Sequence, residues 1–366
     1  MTRNDYFEQL NQVLGFLDAD TRSATLAFYE ELLSDRMEEG LSEQDALRMM
    51  DAPDVIAARM RADMGQQGTL PPDDSDIPAY TPCTISYDVH QVASLFLSFI
   101  NRKVKVESGD TPYITVSYME DERHPIDLTE LDGHIRLTEK QPMKQGLARF
   151  STFGLGNVLD ALFRGRTHVD LTVTVVLPRD AKIGLEIITS NGGITMQNFN
   201  ALGTVRLTTS NASVHVRDVA CSQLRLCTSN GRVDIENIAA RQGIAVRTSN
   251  AAIHASLIRA HDAVSLTTTN SAVRLEKASG GDILSVRTTN ASITCNGCLF
   301  PCVTLKTSNG KIAGTMPGSI ADYNVDAGTT NGSCSLPSHK ANGSRTLIAH
   351  TSNASIQMHF EDDMPR

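Results

Sequence analysis

Two consecutive stretches decide how this chain folds: 244-IAVRTSNAAIHASLIRAHDA-263 and 264-VSLTTTNSAVRLEKASGGDI-283. Set one above the other, Thr248-Ser249-Asn250 falls on Thr268-Thr269-Asn270. The apolar residues then form columns, with Ile244 on Val264, Val246 on Leu266, Ile253 on Val273, Ala255 on Leu275 and Ile258 on Ala278. Outward in both directions the triplet recurs, with its Asn at Asn191, Asn211, Asn230, Asn250, Asn270, Asn290, Asn309, Asn331 and Asn353. The spacings are 20, 19, 20, 20, 20, 19, 22 and 22. A fixed period of this length marks a repeat architecture.

Alternation within each apolar segment is strand periodicity, one side turned inward. Each coil thus offers two strands and a third, shorter inward face that it cannot bury alone. Stacking on neighbouring coils completes the core. The expected fold is mainly β: a parallel β-solenoid, or single-stranded β-helix, with Thr-Ser-Asn or Thr-Thr-Asn corners and parallel strands about 4.8 Å apart. The Asn column reads as a structural corner ladder, because Asn tolerates left-handed backbone angles and stacked amides bond along a rod. A ligand-binding signature is the competing reading. Recurrence in every coil, the last included, favours structure.

Ahead of the repeat, which this reading starts at 181, the pattern changes. Residues 1–66 carry Phe7, Leu10, Leu14 and Leu17 at helical spacing, then further short helical segments, which predicts a small N-terminal helical bundle. Residues 67–82, with Pro71, Pro72, Pro78 and Pro82 among aspartates, read as a linker. Residues 83–180 read as the β-rich start of the solenoid. Within them 144–167 has helical spacing and a cationic bias, so it is expected either to cap the rod or to lie on an anionic membrane. Residues 359–366 read as an acidic tail.

The net charge of −9 is concentrated in residues 1–66, which hold 6 basic and 14 acidic side chains. That acidity argues against nucleic acid as a partner there, since phosphate attraction dominates such affinity. Met1-Thr2-Arg3-Asn4-Asp5 opens into polar helix without the apolar stretch of a signal peptide, and no apolar run is long enough to span a bilayer. Seven cysteines, an odd number, fit a reducing compartment. The expected address is the cytoplasm, peripheral to the membrane.

The Thr-Ser-Asn-Gly type of corner, with Val169-Asp170-Leu171-Thr172-Val173 and Leu177-Pro178 before it, resembles the bacterial adhesin-type β-strand-repeat proteins of the toastrack superfamily over roughly 84–358. Leu17, Arg22, Tyr29-Glu30-Glu31, Met37-Glu38-Glu39-Gly40, Ser42-Glu43 and Asp51, Pro53, Ile56-Ala57 resemble the helical signalling domain found beside transcription-regulator genes. Met50-Asp51-Ala52-Pro53 departs from the Gly-Asp-Pro usual there. These resemblances imply a non-catalytic scaffold with a protein partner in envelope or membrane-stress signalling. The alternative they leave is a surface-exposed binder of envelope polymer.

Three constellations could carry chemistry. Cys295, Cys298 and Cys302 have the look of a metal knuckle, but the first two continue inward columns, so they read as core filler and no metal or cofactor is expected. The outward position four after the Asn runs His215, Asp234, His254, Arg274 up the rod, a candidate ladder for an anion, a metal or a proton near neutrality. Arg206, Arg225, Arg247, Arg287 and Lys306 lie outward on the strands before the corners and form a candidate basic face. A polysaccharide-cleaving enzyme would need paired carboxylates on one outward surface. The outward acids instead alternate with Arg and His, so catalysis is not expected.

Overall fold

The computed structural model describes residues 3–17, scattered residues between 22 and 57, and 80–120, 125–140 and 170–363. The chain divides into two units, Met1–Pro78 with Lys144–Val169 and Ala79–Met143 with Asp170–Arg366. In the first, helix Arg3–Val13 turns Tyr6 and Leu10 inward, and with Leu14, Leu17, Tyr29, Leu33, Leu47 and Ile56 they make one apolar cluster. The expected linker, apart from its last residues, and the segment 144–167 lie outside the described residues.

The second unit is a stack of coils. In a middle coil, strand Ile244–Arg247 leads to the Thr248-Ser249-Asn250 corner, and strand Ile253–Ala260 follows. Pre-corner strands pair in parallel with pre-corner strands, Leu224–Cys227 with Ile244–Arg247 and these with Val264–Thr267. Post-corner strands do the same, Val233–Ala240 with Ile253–Ala260 and these with Val273–Gly280. Alternate Val, Ile, Leu and Ala side chains fill one continuous core from Val92 to Phe360. Thin coils without Trp suffice because each coil buries mostly β-branched and aliphatic residues against the next, with a few Phe, Met and Cys among them.

Two turns of the chain shape each coil. At the first, the Thr side chain points inward: Thr209, Thr228, Thr248, Thr268, Thr288 and Thr307 are all buried. Its hydroxyl donates to carbonyls of the preceding coil, as Thr268 Oγ1 does to Ala251 O at 3.1 Å. At Asn230 the next residue must be small, since a Cβ on Gly231 would stand 1.6 Å from Ala212 O. The second turn lies seven residues after the Asn. There the backbone is left-handed at Asn198, Asp218, Asn237, Leu257, Lys277 and Gly297, with φ between 52° and 66°. The left-handed angles expected at the Asn corner are therefore found at this other corner, and the corner Asn residues have negative φ.

Both ends of the rod depart from sequential stacking. Strand Ser94–Phe99 lies between His134–Glu139 and Gly184–Thr189. Strand Val104–Gly109 lies between Val173–Pro178 and Ile194–Thr208. The repeat therefore begins earlier than 181, with a coil whose corner is Phe99-Ile100-Asn101. At the far end, strand Arg345–Thr351 lies directly on Cys302–Lys306, and the earlier segment Tyr323–Thr329 packs beyond it. Antiparallel pairs finish the ends: Thr81–Asp88 with Tyr113–Glu120, Ile126–Leu131 with His134–Glu139, and His339–Lys340 with Val325–Asp326. They take up strand edges that an open parallel ladder would leave unpaired.

Two expected boundaries shift. The first strand starts at Thr81, so Thr81 and Pro82 are not linker. The acidic tail begins later than 359, because His359 and Phe360 belong to the last strand and Phe360 is buried. Asp363 is tied down, accepting from Ser319 Oγ and from Ile320 N, both at 2.8 Å.

Candidate binding faces

The corner asparagines stand in one exposed file joined by side-chain amides. Asn250 Nδ2 donates to Asn230 Oδ1 at 2.7 Å, and Asn270 Nδ2 to Asn250 Oδ1 at 2.7 Å. Asn101 opens the file, receiving a bond from Asn191 at 2.7 Å. Asn211, Asn290 and Asn309 continue it. Asn353 then bonds Asn309, and Asn331 bonds Asn353. Every amide donates in the same direction, toward the Asn101 end. With their side chains bonded to one another and their backbone N–H groups bonded to the coil before, these residues are occupied by the fold.

The post-corner sheet carries the His-Asp-His-Arg ladder. His215, Asp234, His254 and Arg274 are direct neighbours on successive strands. Asp234 is the hub: Oδ2 lies 3.2 Å from His215 Nδ1, and Oδ1 lies 2.7 Å from Arg232 Nη2. Arg232 Nη2 also lies 2.9 Å from His254 Nδ1. A guanidinium can only donate, so His254 Nδ1 accepts and the ring proton of the neutral form sits on Nε2. Partial burial, then the charge of Arg232, lower the His254 pKa below its ordinary value, against the opposing pull of Asp234. In the adjacent column Arg217 Nη2 meets Glu236 Oε2 at 2.6 Å. Together these side chains line a groove of about 550 Å³. Arg232 was not singled out from sequence. Its signal is position: two after the Asn, where Ser213, Ala252 and Ala272 are small.

The pre-corner sheet carries the basic residues, but not in one column. Arg206 and Arg225 are neighbours in one. Arg247, Thr267, Arg287 and Lys306 follow one another in the next. Arg206 meets Glu186 at 3.3 Å. Among the described residues Arg225, Arg247, Arg287 and Lys306 meet no carboxylate. Small residues, Gly243, Ala245, Ala263 and Ser265, floor a groove of about 670 Å³ beside Arg206, Arg225 and Arg247.

The cysteines are distributed by column. Cys221, Cys295 and Cys298 are buried, Cys302 is half-buried and Cys227 is exposed. Burial pushes the Cys221 thiol up to about 12. A hydrogen bond with Cys298, and burial, hold Cys295 well above the usual thiol range. Such thiols are poor ligands and nucleophiles, since both roles need thiolate. Among the described residues no group of three or more His, Cys, Asp or Glu side chains is arranged to hold a metal ion, and no helix is long and apolar enough to cross a membrane.

With the coil stack established, the family model that matches is decisive: Toastrack DUF4097 matches residues 92–362. The chain belongs to the Toastrack DUF4097 family. The toastrack model thus takes in the Asn101 coil and both reordered ends. A second model, HAAS, matches residues 5–59. Among solved structures the chain is similar to a "putative adhesin" from Bacteroides fragilis, at 13% identity over 77% of this chain and 98% of that one, with a TM-score of 0.37. It is also similar to a "putative cell adhesion protein" from Clostridium sporogenes, at 11% identity over 77% and 100%, with a TM-score of 0.23. No curated protein matches the chain.

Proposed function

We propose that this toastrack protein is a non-catalytic binding scaffold in bacterial envelope-stress signalling. In this reading the HAAS module docks a protein partner and the rod serves as a rigid platform. The observation that carries it is the pairing of two of the three carboxylates that line the post-corner groove, the third, Glu276, standing two strands from Glu236. Asp234 is shared between Arg232 and His215, and Glu236 is held by Arg217. Two carboxylates each held against a guanidinium are engaged in pairing, whereas polysaccharide cleavage requires one carboxyl as acid and another free to act as base or nucleophile. The HAAS match supports a protein partner, since it is a signalling-associated domain.

Cross-linking in living cells tests the reading, comparing the full chain with one lacking residues 1–66 before and after an envelope-damaging treatment. The expected result is a defined adduct that changes with treatment and disappears with the module. Release of reducing ends from anionic polysaccharides by the purified protein would overturn it. Exposure of the protein on intact cells to an external protease would favour an adhesin-like role instead.

A further inference from the structure

Two outward sheets carry cations, and they differ in how that charge is answered. On the post-corner sheet, acids sit among the bases and pair with them. On the pre-corner sheet, the outward positions of the strands between Glu186 and Asp326, from Arg206 to His350 in stacking order, hold no carboxylate. Glu186 and Asp326 stand at either side, paired with Arg206 and His350 at 3.3 Å each. Asp262 and Asp282 stand in the turns before the strands; Asp262 lines one edge of the groove and is paired with His261 at 2.9 Å. A chain with a net charge of −9 thus leaves Arg225, Arg247, Arg287 and Lys306 of this sheet without a carboxylate partner among the described residues. Arg287 and Lys306 are direct neighbours with no carboxylate between them, a like-charge contact that a bound anion would relieve.

The relief of the face narrows what that anion is. Arg247 and Arg287 straddle Thr267 in a single column, two strand spacings or about 9.6 Å apart, and Lys306 extends the file. Beside it, Ala245 and Ser265 keep the floor low, so a polymer backbone can lie against the sheet while guanidinium forks reach its charges. No Phe, Tyr or Trp ring occupies these outward positions, and the imidazole of His350 is paired with Asp326, which leaves nucleobases without a row of stacking platforms. A flat bilayer surface cannot enter a groove. We infer that the pre-corner sheet seats a linear, base-free polyanion laid along the rod axis, with Arg225, Arg247, Arg287 and Lys306 as its contacts. This rests on the reading of the rod as a binding platform and adds the class of ligand.

Fluorescence anisotropy with end-labelled long-chain polyphosphate and the full-length protein tests it. Binding is expected to weaken steadily with added salt, as counterion release requires. The double variant Arg247→Gln/Arg287→Gln is expected to lose about tenfold in affinity for each guanidinium removed, with a shallower salt slope. Arg259→Gln, a cation removed from another face, is expected to bind like the parent. Equal weakening by Arg259→Gln, or parent-like binding by the double variant, would overturn the site. Phosphatidylglycerol vesicles that bind more tightly than polyphosphate, and lose binding in the double variant, would replace the polymer with a lipid surface. Loss of the partner adduct with polyanion binding intact would instead strike the signalling reading alone.

Discussion

Asn353 donates its side-chain amide to Asn309 across 44 residues of sequence, at 2.7 Å, while Asn331 stacks outside Asn353. The last two rungs are therefore exchanged relative to the chain. The consequence is unequal importance. Removing residues after Lys340 deletes an inner rung and strips Leu305 and Ile312 of the neighbours that cover them. Replacing 319–342 by a short Gly-Ser link deletes only the outer rung. The truncated chain is expected to aggregate and the looped-out chain to keep a cooperative urea transition, read by circular dichroism and light scattering.

The two corner columns predict different costs. Thr268→Val keeps the shape but leaves the Ala251 carbonyl without its donor in a partly buried place, which costs about 1–3 kcal/mol. Asn250→Leu removes two exposed amide bonds, to Asn230 and from Asn270. Water then hydrates the abandoned groups, so the loss is about 1 kcal/mol. Paired urea titrations check the order.

At the opening end, Arg102 Nε meets Glu139 Oε1 at 2.9 Å with their side chains 1% and 3% exposed. Arg102 also donates to the Met119 carbonyl, and Glu139 accepts from Ile100 N at 2.7 Å. Arg102→Met alone strands a buried carboxylate and is expected to cost about 3–5 kcal/mol. Adding Glu139→Met should recover much of that loss, which a double-mutant cycle reads directly.

His254 gives a pH signature. Its folded pKa lies below the ordinary value of 6.5, so between the two the unfolded chain binds a proton that the native chain refuses. Stability tied to this residue is full above that ordinary value and falls as pH drops through the window beneath it. The imidazole resonances should show the Nε2–H tautomer at pH 7.5 and a midpoint below the unfolded value. In Arg232→Gln the midpoint should rise, since the cation holding the ring neutral is gone.

Much of this architecture was legible in one repeated triplet, because an inward column must recur at the coil period wherever strands stack. Even the overlooked first coil keeps those offsets, with Leu95 and Leu97 before Asn101 and Val104 and Val106 three and five residues after it. Its corner reads Phe99-Ile100-Asn101, with Phe99 where the other corners carry Thr. The left-handed corner was hidden for a different reason: Asn, Asp, Leu, Lys and Gly all occupy it, and no residue type marks the column. The exchanged rungs left no trace, since spacings of 22 and 22 are the same in either order. Of the candidate binding residues, column membership was readable, whereas Arg232 and the division of the basic residues into two columns depend on turn length. The Arg102–Glu139 pair needed the reordered first coil to bring it together.

The exchanged Asn file is the claim on which the rest depends, and a disulfide comparison tests it most directly. In a Cys227→Ser background, Asn309→Cys/Asn353→Cys and Asn309→Cys/Asn331→Cys are oxidised under native conditions. Adjacent rungs lie about 4.8 Å apart and second neighbours about twice that, against a reach of roughly 4.4–6.8 Å between Cα atoms for a disulfide. The 309–353 pair is predicted to close rapidly and the 309–331 pair to stay reduced. Rapid closure of 309–331 with 353 left free would contradict the account.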